Sequence, residues 1–128
     1  MKRLDKESVI GISALLVHAA NIDEIYSDKE KDLVRNFIKS YLIEEDVNEI
    51  LKQAEKVEKN SNQLLNFTNI IKKENNEIKS NIIRHLWKII VSDKNVDLYE
   101  SNLMRRICGL IYFPDKMSAE IKLQILKN

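Results

Sequence analysis

Two glycines and one proline are all that punctuate this 128-residue chain. Glycine supplies the positive φ angles and close backbone approaches that tight turns demand, and proline presets other turns. A sandwich or barrel needs turn signals roughly every 8–12 residues, and a phosphate-cradling loop needs glycines where backbone meets ligand. Neither requirement can be met here, which excludes Rossmann, P-loop and β-sandwich architectures. With 44% hydrophobic and 32% charged residues, the chain has apolar material for a core and charge for a solvated shell. The expected fold class is all-α, as a single helical domain over residues 1–128.

Charge narrows the partners. Twenty-one Lys and Arg face 20 Asp and Glu, for a net +1, and the signs alternate along the expected helices. A nucleic-acid binder concentrates basic residues on one face. The best candidate here, Lys29, Lys31, Arg35 and Lys39, is interrupted by Glu30 and Asp32. No nucleic-acid partner is expected. The lone Cys108 excludes an intrachain disulfide and a Cys-rich zinc site, and fits a small buried hydrophobe. Lys2 and Arg3 before the apolar run Val9–Ala20 imitate a secretion signal, but Asp5 and Glu7 spoil its cationic start. That run is also too short to span a bilayer. No direct membrane insertion and a cytoplasmic location are the expectations.

Apolar spacing predicts about seven helices. The first, about Lys6 to Ile22, is apolar on most sides, as a central buried helix should be. The second begins after Ser27 with Leu33, Val34, Phe37 and Ile38 on one stripe; the third begins near Asp46 with Ile50, Leu51, Ala54 and Val57. The break at 59–62 precedes a fourth carrying Leu64, Leu65, Phe67, Ile70 and Ile71. Helix five, about Glu77 to Ser92, sets Asn81, Arg84, His85 and Lys88 on a polar face opposite Ile83, Leu86 and Trp87. Helix six, about Leu98 to Tyr112, is expected to end at Pro114, with a short last helix beyond. Phe37 and Trp87 read as core, and His18 and His85 as boundary or surface residues.

The chain also repeats itself. Residues 16–35 match residues 86–105 at Leu16/Leu86, Asp23/Asp93, Glu30/Glu100, Leu33/Leu103 and Arg35/Arg105, giving D-x6-E-x2-L-x-R twice. The reading is two pseudo-twofold-related helical hairpins, about 6–43 and about 77–112, each joined by an acidic turn.

These turns admit two readings. Ser27 with Glu30, and Asp97 with Glu100, fit capping boxes that close the starts of helices two and six. Asp23 and Asp93 then bond to turn backbone, and Arg35 and Arg105 pair with the acids of the opposite hairpin. Alternatively, Asp93, Asn95 and Asp97 place oxygen donors at alternate positions with Glu100 behind, as a calcium loop begins. Leu98 and Met104, where an EF-hand needs Gly and Glu, exclude a true EF-hand. A looser oxygen site for Ca²⁺, Mg²⁺ or Mn²⁺, pooling Asp23, Glu30, Asp93 and Glu100, remains open.

The run from Ser92 to Arg106, and the poorer copy Ile22-Asp23 with Tyr26 and Glu30, resembles the paired acidic turns of the TerB-like family. Leu64 to Thr68 and His85-Leu86-Trp87 resemble its middle segment, so the likeness covers most of the chain. Glu24 and Lys94 stand where that family favours Gly. The resemblance is to a short stand-alone form, related to the N-terminal domain of a membrane-anchored DnaJ-like co-chaperone whose activity is not carried over. It implies an all-α bundle of about seven helices, with Asp23, Glu30, Asp93 and Glu100 as proposed metal ligands.

No nucleophile stands with a base, no paired acids suggest catalysis, and one cysteine is a poor start for reducing an oxyanion. The expected function is non-catalytic: a helical interaction module binding other proteins in a tellurite-resistance-associated stress response or a membrane-associated assembly. The alternative is a divalent-cation-responsive module, with its ion held by the acidic turns.

Overall fold

In a computed structural model the described residues are 4–22, 26–43, 45–92 and 98–127, with the side chains of 98–100 not among them. They form seven α-helices and no strand: α1 Lys6–Ala20, α2 Asp28–Tyr41, α3 Val47–Asn60, α4 Leu65–Lys72, α5 Asn76–Val91, α6 Leu98–Leu110 and α7 Asp115–Lys127. The helices pack as a compact all-α bundle.

Most helix starts are written in the residue before them. Asp5, Ser27, Asp46 and Asn75 each have extended backbone and accept hydrogen bonds from N–H groups of the first turn. This is how a short polar side chain satisfies donors that the helix leaves over. Hydrogen bonds to Ser8 hold the exposed Asp5 carboxyl below its ordinary value. α4 starts without a side-chain cap, with Leu64 in the position.

α1 is the hub, packing against α2, α3, α4 and α5. That explains its nearly all-round apolar surface, with Val9, Ile12, Leu15 and Leu16 fully buried. Its Gly11 faces α4 so closely that an added Cβ would meet the Ile70 Cδ1 methyl. α5 packs on α1, α2 and α7, while α6 lies against α4 and α7. Trp87 of α5 is buried, and its Nε1–H donates to Ser118 Oγ of α7 at 2.9 Å.

Three expectations need correction. α6 ends at Leu110, close to the expected Tyr112, but Pro114 is not what stops it. The stop is Tyr112, whose φ of 59° is the protein's positive-φ position among the described residues. With Tyr112 left-handed, the Phe113 N–H reaches back to the Cys108 carbonyl at 2.9 Å, the bond of a Schellman cap. Pro114 instead opens α7, accepting from the Ser118 N–H, and α7 is a full 13 residues. His85 is not on a solvated face but buried. Its ring sits edge-on to Phe37 at 5.3 Å and its Nδ1 bonds the Asn81 carbonyl at 2.9 Å.

Candidate functional site

The first acidic turn lies between α1 and α2, and its exit is built as a cap. Glu30 is only 6% exposed; its Oε1 accepts from the Ser27 N–H and Oγ–H, each at 2.9 Å. Ser27 Oγ in turn accepts from the Glu30 N–H at 3.2 Å. Both halves of the capping box are therefore present, and one carboxylate oxygen is committed to the helix start. Of the six candidate ligands, Glu30 is the one whose side chain is described. Asp23, Asp93, Asn95, Asp97 and Glu100 lie outside the described residues or side chains. Among the described residues no group of three or more His, Cys, Asp or Glu could hold a metal ion. Glu30 is thus placed as part of the α2 cap.

The described flanks of the two turns nevertheless meet. Lys29, in the first turn of α2, donates through Nζ to the Ser92 carbonyl at 3.3 Å. Ser92 directly precedes the second acidic stretch, so an ammonium ion ties the start of α2 to the end of α5.

Two acids that the sequence reading passed over face this region from α3. Glu55 accepts from the Tyr26 hydroxyl at 2.7 Å, while Glu58 meets His18 Nδ1 at 3.4 Å and the Asn21 amide at 3.3 Å. Burial, reinforced by the Glu55 carboxylate, pushes the Tyr26 phenol well above its ordinary range. These contacts stitch the end of α1 and the start of α2 to α3 and leave Tyr26 a neutral donor. Arg35 pairs with Asp32 of its own helix at 2.6 Å and donates to Asn48 at 3.0 Å; the turn acids of the opposite hairpin lie outside the described side chains. Arg105 stands exposed on α6, with no carboxylate partner among the described residues.

The remaining reactive side chains are sheltered. Cys108 is buried, and burial raises its thiol above the ordinary value, which suppresses the nucleophilic thiolate. Burial lowers the His85 imidazole, aided by Lys88 and Arg84 and opposed by its bond to Asn81. The nearby Asp115 carboxylate raises the Cys108 thiol further, the opposite of what activates a nucleophile.

The open surface of the bundle lies elsewhere. Between α1, α3 and α4 runs a groove of about 670 Å³ with an apolar floor from Ile10, Phe67 and Ile70, Val57 on its rim, and Glu7 and Lys56 among its lining residues. Helical spacing places Val57 and Leu65 on core-facing stripes, yet both are exposed. No helix among the described residues is long and apolar enough to cross a membrane.

Among curated proteins and among solved structures, nothing matches the chain. The family model described as tellurite resistance protein TerB matches residues 10–123, from the middle of α1 well into α7. A match over that much of the chain, on an all-helical bundle with an acidic turn closed by a capping box, means that the protein belongs to the TerB family.

Proposed function

We propose that this TerB-family domain is a non-catalytic helical module that acts by binding another protein in the groove between α1, α3 and α4. The observation that carries the reading is the groove itself: Ile10, Val57, Phe67 and Ile70 converge on an open trough of about 670 Å³. Apolar side chains kept in contact with water mark a binding surface when they are contiguous, whereas scattered ones do not. A partner's apolar side chains would gain about 25 cal/mol for each Å² of apolar surface removed from water. A stress response linked to tellurite, or an assembly at a membrane, is the setting the resemblance suggests. The docking mode requires neither.

The ion-responsive alternative rests on Asp23, Asp93 and Glu100, now without the Glu30 oxygen that caps α2. Affinity purification from the source cell tests both readings. A defined protein should co-purify with wild type and with Leu123→Glu, a change at an exposed α7 position, and be lost with Val57→Glu on the groove rim. Equal recovery with all three proteins contradicts groove docking. Recovery that instead requires added Ca²⁺, Mg²⁺ or Mn²⁺ supports the alternative.

A further inference from the structure

We infer that a second groove, on the opposite flank of α4, binds a partner-protein segment in which a carboxylate is flanked by apolar side chains. This trough of about 540 Å³ lies between the start of α4 and the last turns of α6. Leu64, Leu65 and Leu110 make its apolar surface, and Arg105 and Arg106 its charged one. Leu65 is 47% exposed, a large apolar side chain standing in water at the wall.

Charge complementarity names the occupant. Among the described residues the lining contains two guanidinium groups, the amides of Asn62 and Gln63, and no acid. Neither arginine has a carboxylate partner among the described residues. Guanidinium pairs planar carboxylates through two parallel hydrogen bonds, so an Asp or Glu between the arginines is the matched group. The leucines then require apolar neighbours on either side of that acid. A trough open along its length between two helices suits a chain segment rather than an enclosed small molecule.

Gly109 is the independent sign that this space is kept open. Glycine inside a helix costs stability relative to alanine unless packing or a positive φ demands it. Neither demand exists: nothing lies within 4 Å of an added Cβ at Gly109, and no glycine here has positive φ. The left-handed cap is delegated to Tyr112 three residues on. What the missing side chain does provide is depth in a groove that Gly109 lines.

The inference shares with the proposed function only the premise that the module binds proteins; the groove is a different one. The test is fluorescence anisotropy of the whole chain with two labelled peptide pools. One has Asp or Glu flanked by Leu and Phe, and the other carries the matching amides. The acidic pool should bind wild type more tightly than the amide pool, by roughly tenfold at low salt, and the preference should shrink at about 0.3 M salt. Arg105→Gln/Arg106→Gln should erase the preference. Gly109→Leu should abolish binding while leaving the helical circular dichroism and melting temperature at or above wild type. Equal binding of the two pools, no binding of either, or full binding by Gly109→Leu each overturns the inference. So does binding of free phosphate or anionic vesicles in place of the acidic pool. If the peptides fail while co-purification still depends on Val57, only this second groove is refuted; loss of both refutes the module.

Discussion

Glu30 separates a structural acid from an ion ligand, because the two roles give its neutralisation opposite signs. In the structure its Oε1 accepts two hydrogen bonds from Ser27 while the side chain is almost wholly buried. Glu30→Ala removes a charged acceptor and leaves the Ser27 N–H without it, a loss of about 2 kcal/mol. Glu30→Gln keeps a carbonyl acceptor but not the charge, and should cost about half as much. Unfolding entropy of about 2.1 cal/mol/K per residue makes each kcal/mol worth about 4 °C in a chain this long. The expected falls in Tm are therefore about 7 °C and about 4 °C. Ser27→Ala should cost about 1 kcal/mol, and the double variant with Glu30→Ala less than the sum, because the two residues bond each other. Differential scanning calorimetry of metal-free protein reads these values. An ion ligand behaves otherwise: carboxylates gathered for a cation repel one another without it. Glu30→Gln melting at or above wild type without metal, with wild type gaining on added Mg²⁺, Ca²⁺ or Mn²⁺, would refute the capping argument.

Other consequences follow from single positions. Gly11→Ala sets a helix-propensity gain of about 1 kcal/mol against displacement of the Ile70 methyl, so urea unfolding should differ from wild type by under about 0.5 kcal/mol. Gly11→Leu should overpack the α1–α4 contact and cost about 1–3 kcal/mol; equal stability of the two variants would contradict that crossing. Ser13 is fully buried with no hydrogen-bond partner for its hydroxyl among the described residues, so Ser13→Ala should stabilise by about 1 kcal/mol, whereas a loss would reveal a bond the structure lacks. His85 is held neutral by burial, so below about pH 6.5 the unfolded chain binds more protons and stability falls as pH drops. An NMR titration should place its midpoint below the ordinary imidazole value, and His85→Gln should flatten that slope; a midpoint at or above about 6.5 contradicts the burial.

The elements were legible because their signals are local. Few glycines, one proline, 3.6-residue apolar spacing and the Ser27 cap place helices without reference to the rest of the chain. What stayed hidden depends on which helices meet. Glu55 and Glu58 look like the solvated face of α3 until Tyr26 reaches the first and the end of α1 brings His18 and Asn21 against the second. His85 shares its polar face with Asn81 and Lys88 by helical period, yet the side it occupies is covered by Phe37 of α2. Tyr112 in a left-handed cap carries no sequence signal, since that position is ordinarily glycine. The grooves were hidden for the converse reason: Val57 and Leu65 have the spacing of core residues, and only the final packing leaves them uncovered.

The central claim, that the domain acts through the groove between α1, α3 and α4, is tested most directly by a photo-crosslinking amino acid placed at Val57 in the source cell. The same residue at Leu123 on α7 serves as control. A discrete crosslinked product is expected from Val57, absent from Leu123 and abolished when Ile70 is also changed to Lys. Identical products from both positions, or none from Val57, would contradict it.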